Sequence, residues 1–190
     1  AELQQEHHLD AINAYQLLLN NYPNSKLTAK ASLEQGLTYR TLRQYDKAVE
    51  IFKTTVSTYH GSEEAYSALE GLEQIYVETN NVDEYIAYAK SLDNMDIQAQ
   101  SREDSLVYIT AEWQYMMGNH QQAIDGFTNY LTNYCPGGRY CTNATYYAAN
   151  SLYKLEKYDQ AIEHYSALAE IQGNPYVEEA CMRVAELCYD

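Results

Sequence analysis

LRQYDKAV, at residues 42–49, returns almost unchanged as LEKYDQAI at residues 155–162. Each copy ends in a small residue followed by a β-branched one, and this pair recurs along the chain. The pairs are Ala11-Ile12, Ala48-Val49, Ala123-Ile124 and Ala161-Ile162, with Tyr85-Ile86 in the same register. The interval from each pair to the next is constant to within a single position. Such a fixed period is typical of a repeat architecture, in which each unit is one supersecondary element.

Each repeat is predicted to be a pair of antiparallel helices. An aromatic residue follows the small residue by four positions in four of the five units, and residues i and i+4 share one helix face. Gly36, Ala111 and Ala149 all stand at the same distance upstream of the small residue, where a first helix would pack on the second. Only 3 Pro and 8 Gly occur, and so few breakers favour helices throughout.

The period predicts an all-α fold, an α-α superhelix of about ten helices. Residues 1–190 would form one array, whose units are 1–24 (partial), 25–61, 62–99, 100–136, 137–173 and 174–190 (partial). The unit 62–99 departs most, with Glu73 at the small position and a loop predicted at 93–100. Because each repeat buries its face only against neighbours, both terminal helices should expose apolar surface. We therefore expect a fragment of a longer array.

Composition and motifs limit the classes of function. The formal net charge of -15 argues against nucleic acid as a partner, because phosphate would be repelled. The sequence has no apolar run long enough to span a bilayer, so we expect no membrane insertion by this segment. It also lacks the zinc-protease, phosphate-loop, dinucleotide and nucleophile-elbow motifs, and its 5 His lack metal-ligand spacing. We predict neither catalytic activity nor a cofactor nor a metal.

The repeats resemble the tetratricopeptide repeat family. The matching residues are the Gly or Ala of the first helix, Tyr45 and Tyr158 at the turn, the Ala-Ile start of the second helix with its aromatic, and the closing Tyr22-Pro23. The long period and the linker YPNS at 22–25 look like the cell-envelope subgroup of Gram-negative bacteria. That subgroup includes Tol-Pal-associated repeat proteins and outer-membrane assembly lipoproteins. The resemblance implies a periplasmic or outer-membrane-associated protein, with a cytoplasmic location as the alternative.

Four cysteines lie in the last three units. Cys135 and Cys141 flank a turn with one Pro and two Gly, and this short separation allows either a disulfide or two thiols. Cys181 and Cys188 have i, i+7 spacing on the last helix, about 10 Å along its axis, and cannot bond to each other. We expect these two to be core thiols.

The resemblance implies a partner-binding groove along the first helices, on the concave face. Two pairs of tyrosines, each with i, i+7 spacing, fall on adjacent first helices and form either a binding platform or helix packing. The predicted partner-binding residues are Arg40, Tyr108, Glu112, Tyr115, Tyr146, Asn150, Tyr153 and Lys154. The expected function is a non-enzymatic scaffold for a protein or peptide. The alternative is a structural spacer that self-associates through its terminal helices.

Overall fold

The structure is a computed structural model that describes residues 2–92, 103–171 and 173–189, and of residues 2–6 the backbone alone. All regular structure in these ranges is helical, which confirms the all-α prediction. The described ranges contain ten helices: α1 (Glu2–Asn21), α2 (Thr28–Thr41), α3 (Tyr45–Thr58), α4 (Glu63–Glu78), α5 (Val82–Lys90), α6 (Glu103–Met116), α7 (His120–Tyr134), α8 (Cys141–Lys154), α9 (Tyr158–Glu170) and α10 (Val177–Tyr189). The loop predicted at 93–100 lies outside the described residues.

The chain divides into two compact units, Ala1–Thr79 and Asn80–Asp190. This division falls inside the predicted repeat 62–99. In the first unit, α2 packs against α1 and α3, and α4 packs against α3 and α2. In the second unit, α6 packs against α5 and α7, α8 against α6, α7 and α9, and α10 against α9. The first helices α2 and α4 of the first unit, and α6 and α8 of the second, therefore contact one another directly.

The first unit closes around one phenylalanine. Phe52 on α3 is fully buried. A Cβ added at Gly36 would lie 2.5 Å from the Phe52 ring, and one added at Gly71 would lie 2.7 Å from it. Because real Cβ atoms do not approach so closely, only glycine fits in α2 and α4 on the two sides of this ring.

The turn inside each helix pair uses the same left-handed backbone. Arg43 has φ 55°, Asn80 φ 59°, Gly118 φ 78° and Glu156 φ 58°. These positions follow one another at the interval that separates the small-residue pairs, so the backbone repeats with the period of the sequence. A residue with positive φ just after a helix ends it and frees the chain to reverse direction.

The second unit buries tyrosines in its core. Tyr130 on α7 and Tyr165 on α9 are fully buried, and Phe127 lies on the same face of α7 as Tyr130. Each buried hydroxyl has a partner. The hydroxyl of Tyr130 accepts the Tyr140 backbone N–H at 3.0 Å, and the hydroxyl of Tyr165 donates to Asn150 Oδ1. The tyrosine rings are thus accommodated without unsatisfied polar groups.

The prediction for Cys181 and Cys188 is wrong, because both are exposed free thiols on α10. This helix buries Ala180 and packs Val184 and Leu187 against α9. Each cysteine follows a member of that face by one position, which turns it by about 100° around the helix. Spacing alone did not indicate which side of α10 meets the core.

The outer faces of the two terminal helices are partly apolar. On α1, Leu9 is 46% and Leu17 62% exposed, and on α10, Met182 is 61% and Tyr189 91% exposed. These exposures agree with the expectation for both helices. Among the helices in the described ranges, none is both long enough and apolar enough to cross a bilayer.

Candidate functional site

Two tyrosines of α6 meet two tyrosines at the start and middle of α8. Tyr108 and Tyr140 are stacked with ring centroids 4.4 Å apart. Two turns further along, Tyr115 and Tyr147 approach to 4.9 Å with their planes tilted by 49°. Both contacts join residues at the same separation along the chain, and the members on each helix have i, i+7 spacing. The first helices of adjacent repeats are therefore joined by two aromatic contacts in register.

The next pair of first helices repeats this arrangement. Tyr146 of α8 stacks on Tyr176, just before α10, with centroids 3.9 Å apart. Tyr153 of α8 lies under the guanidinium of Arg183, at 4.9 Å. We call these four contacts the tyrosine ladder: Tyr108–Tyr140, Tyr115–Tyr147, Tyr146–Tyr176 and Tyr153–Arg183. The ladder is the main feature of the predicted site.

Tyr108 is an interior residue of the ladder. Its side chain is only 3% exposed, and its ring also packs against Phe127 and Tyr130 at 6.0 and 5.8 Å. Its hydroxyl donates to Glu112 Oε1 at 2.7 Å. Burial, followed by this bond to a carboxylate, raises the pKa of Tyr108. Tyr108 thus supports the surface from beneath, because the rings of α7 and α8 cover it.

Tyr115, Tyr146 and Tyr153 are half-buried, so each keeps part of its ring at the surface. The Tyr146 hydroxyl donates to Glu179 Oε2 at 2.7 Å. Partial burial raises the pKa of Tyr146 to about 12, with the Asn150 amide opposing this shift and the Glu179 carboxylate adding to it. Rings fixed by stacking and by hydrogen bonds form a rigid platform with polar tips.

Tyr147 completes this platform and was missed by the sequence analysis. Its ring lies against Tyr115, against Tyr146 at 5.3 Å and against Phe127 at 5.9 Å. It thereby links the two halves of the ladder. The sequence signal for Tyr147 is a further i, i+7 pair, Tyr140 with Tyr147.

Asn150 and Lys154 complete the predicted set on α8. The Asn150 side chain is engaged internally, because its Oδ1 accepts the Tyr165 hydroxyl. Asn150 therefore orients the buried ring and also interacts with the Tyr146 hydroxyl. Lys154 is exposed at the end of α8. The structure brings seven of the eight predicted partner-binding residues together in the second unit.

The eighth residue, Arg40, belongs to the first unit and lies in a separate pocket. Its guanidinium pairs with Glu78 Oε1 at 3.1 Å, and the Tyr45 hydroxyl donates to Glu78 Oε2 at 2.8 Å. The hydrogen bond to Glu78 raises the pKa of Tyr45. The pocket has a volume of about 360 Å³ and is lined by Leu37, Arg40, Thr41, Arg43, Tyr45 and Glu78. The charge of Arg40 is thus already balanced by an anion.

A disulfide between Cys135 and Cys141 closes the turn from α7 to α8, with 5.8 Å between the two Cα atoms. Cys141 is the first residue of α8, and Tyr140 stands just before it. The Tyr140 N–H donates to the buried Tyr130 hydroxyl, and its ring stacks on Tyr108. The closed turn thus sets where α8 and its tyrosines begin. Across the described ranges, no group of three or more His, Cys, Asp or Glu could hold a metal ion.

These features define an all-α protein in which each of the two units is built of packed helix pairs. Sequence models described as tetratricopeptide repeat match residues 1–62, 104–134 and 143–172. Together these stretches cover more than half of the chain, and the protein belongs to the tetratricopeptide repeat family.

Solved structures include similar folds. One is a tetratricopeptide repeat protein from Parabacteroides merdae, with 14% identity and a TM-score of 0.45, over 98% of this chain and 68% of that one. Another is MamA AMB-1, with 16% identity and a TM-score of 0.41, over 95% of this chain and 98% of that one. No curated protein sequence matches the chain.

Proposed function

We propose that this protein is a non-enzymatic scaffold that binds a protein or peptide on the tyrosine ladder of the second unit. Tetratricopeptide repeats suggest an interaction scaffold in general terms. One observation supports this particular surface. Tyr115, Tyr146 and Tyr147 are half-buried rings in direct contact with one another, with part of each side chain at the surface. Tyr153, also half-buried, is connected to Tyr146 through Glu179 and Arg183.

Such a surface suits a partner for energetic reasons. Tyrosine offers a large contact area and loses little rotamer freedom on binding. Here stacking already restricts the rings, so the entropy of ordering them is lost on folding rather than on association. Aromatic residues are also enriched among those that dominate binding energy. The ladder lies on first helices, the helices that the family resemblance assigns to the concave groove.

The test begins by identifying the partner. A photo-crosslinking amino acid placed at Lys154, at the rim of the ladder, should capture a specific protein from the native host. The same group at Lys26, in the first unit, serves as the control. The purified partner is then titrated against Tyr115→Ala plus Tyr146→Ala and against Tyr22→Ala plus Tyr66→Ala. Tyr22 and Tyr66 are 66% and 49% exposed in the first unit.

We expect the double substitution Tyr115→Ala plus Tyr146→Ala to weaken binding at least about tenfold, which corresponds to about 1.4 kcal/mol. The control pair should leave the dissociation constant unchanged. Circular dichroism checks that both variants remain folded. Equal dissociation constants for wild type and the ladder variant would move the binding site elsewhere.

A second candidate function is a spacer that self-associates through α1 and α10. The exposed Leu9 and Leu17 on α1, and Met182 on α10, favour it. Sedimentation over a range of concentrations should then show dimers that Leu17→Gln plus Met182→Gln dissociates. A monomer at every concentration would remove this candidate.

We further propose an envelope location with an oxidising environment. The disulfide between Cys135 and Cys141 supports it, because such bonds persist outside the reducing cytosol. Trapping thiols in intact host cells, before lysis, distinguishes the two locations. Labelling confined to Cys181 and Cys188 supports the envelope, whereas labelling of all four cysteines supports the cytoplasm.

A further inference from the structure

The chain places its own cations over its tyrosine rings. Four such contacts occur in the described part, with the charged group 4.9–5.7 Å from the ring centroid: Lys47 over Tyr39, Lys53 over Tyr76, Arg139 over Tyr140 and Arg183 over Tyr153. A cation at this distance is attracted by the negative face of the ring. The faces of several tyrosine rings in this protein therefore accept a cation.

Arg183 shows the complete arrangement. Its guanidinium lies 4.9 Å from the Tyr153 centroid, donates to Glu186 at 3.1 Å and lies 3.9 Å from Glu179. The ring supplies a π face, and the carboxylates supply charge and hydrogen-bond acceptors. Arginine fits both, because its planar guanidinium stacks on rings and bonds carboxylates.

One repeat earlier, the position of Arg183 is taken by Tyr147. Both residues come seven positions after a tyrosine that stacks on the preceding first helix, namely Tyr176 for Arg183 and Tyr140 for Tyr147. In the ranges that the structure describes, no Lys or Arg lies over Tyr115, Tyr146 or Tyr147. The centre of the ladder is thus rich in rings and lacks the cation found at its end.

Carboxylates flank this centre. Glu112 accepts the Tyr108 hydroxyl on the α6 side, and Glu179 accepts the Tyr146 hydroxyl on the α10 side. Burial raises the pKa of Tyr147, and Tyr176 and then Glu112 add to this shift. Of the cations at the rim, Arg139 and Arg183 are each already placed over a ring, whereas Lys154 is exposed at the end of α8. The centre therefore has negative charge and aromatic faces together.

We infer that the centre of the tyrosine ladder binds a basic segment of a partner protein, with a Lys or Arg side chain over Tyr115, Tyr146 and Tyr147 and between Glu112 and Glu179. This inference rests on the proposed function and specifies its partner. The overall charge of -15 adds a long-range attraction for the same segment. A partner's arginine would repeat at the centre what Arg183 does at the end.

The probe is a fluorescent peptide of alternating glycine and arginine, measured by anisotropy with the full chain. Matched peptides carry citrulline or glutamate instead of arginine. Glu112→Gln plus Glu179→Gln removes two charges at the ladder and keeps an acceptor for each tyrosine hydroxyl. Glu63→Gln plus Glu64→Gln removes two charges from the first turn of α4 in the other unit.

We expect Glu112→Gln plus Glu179→Gln to weaken arginine-peptide binding about tenfold, and Glu63→Gln plus Glu64→Gln to change it less than about twofold. Tyr115→Leu plus Tyr146→Leu, which keep apolar area without the tyrosine ring, should weaken it similarly. The citrulline and glutamate peptides should bind weakly. Equal losses from both glutamine pairs would mean diffuse attraction to net charge and would overturn the inference.

The same variants separate this inference from the proposed function. If the crosslinked partner loses affinity for the Tyr115→Ala plus Tyr146→Ala variant but not for Glu112→Gln plus Glu179→Gln, the scaffold proposal stands and the basic-segment inference fails. If neither variant weakens the partner, both fail. If both variants weaken it and added salt reduces its affinity, both stand.

Discussion

Phe52 in the first unit and Phe127 in the second occupy the same position in their repeats, yet their surroundings differ. Phe52 lies between Gly36 and Gly71, and the helices close tightly around one apolar ring. Phe127 lies against the rings of Tyr108 and Tyr147, which extend the packing outward to the surface. In the same type of repeat, the aromatic residue of the second helix can therefore pack either against glycines, which have no side chain, or against additional aromatic rings. The second solution leaves parts of several tyrosine side chains at the surface.

The largest expected difference between the units is their response to alkali. Burial raises the pKa of Tyr134 and Tyr146 to about 12, above the ordinary value of 10.0, and raises the pKa of further tyrosines in the second unit: Tyr108, Tyr130, Tyr147 and Tyr165. In the first unit the pKa of Tyr45 is raised, mainly by its hydrogen bond to Glu78. A raised pKa in the folded state contributes stability that is complete below pH 10 and is lost as the pH rises toward 12.

We therefore predict that the second unit unfolds first as the pH rises above 10. The only tryptophan, Trp113, lies on α6 and reports this unit by fluorescence. Circular dichroism reports both units. Loss of helix in alkali before any change at Trp113 would contradict the prediction.

The next effect concerns the turn that positions α8. Replacing Cys135 and Cys141 by Ser should lower the free energy of unfolding of the second unit by about 2 kcal/mol, because a short loop is no longer closed in the unfolded chain. Denaturation by urea, followed at Trp113, measures this change. Replacing the exposed Cys181 and Cys188 by Ser is the matched control and should stay within about 0.5 kcal/mol of wild type. Equal effects from both pairs would show that the turn needs no crosslink.

The smallest effect tests the packing of the first unit, in which glycines lie on both sides of the Phe52 ring. Gly36→Ala places a methyl group 2.5 Å from the Phe52 ring, and overpacking of this kind costs about 1–3 kcal/mol. Alanine's better helix propensity recovers about 1 kcal/mol. We expect a net loss of about 1 kcal/mol in unfolding free energy, seen by circular dichroism. The loss should disappear when Phe52→Leu is present, and a persistent loss would mean that the ring is not the obstacle.

The period of the sequence was sufficient to predict the helices. The sequence predicts about ten helices, and the ranges that the structure describes contain ten, among them Tyr45–Thr58 and His120–Tyr134. Each small residue and its aromatic fix which face of a helix is buried, and that information is local. The repeats therefore determined the fold class without knowledge of any contact.

The ladder could be predicted only in part. The i, i+7 spacing identified Tyr108 with Tyr115 and Tyr146 with Tyr153, because one helix carries both members. Their partners belong to the following repeat, and finding them requires the register between adjacent first helices. The spacing also left open whether Tyr108 packs between helices, and the exposure of Cys181 depends on which side of α10 meets α9.

The left-handed turns have a practical use in protein engineering. Arg43, Asn80, Gly118 and Glu156 differ in size and charge, so the fold accepts varied side chains there while copying the backbone. Splicing at these positions would join segments whose ends already share one conformation. A module excised from one such residue to the next could be duplicated or exchanged between arrays, and the surplus copies would lengthen the protein without a designed linker.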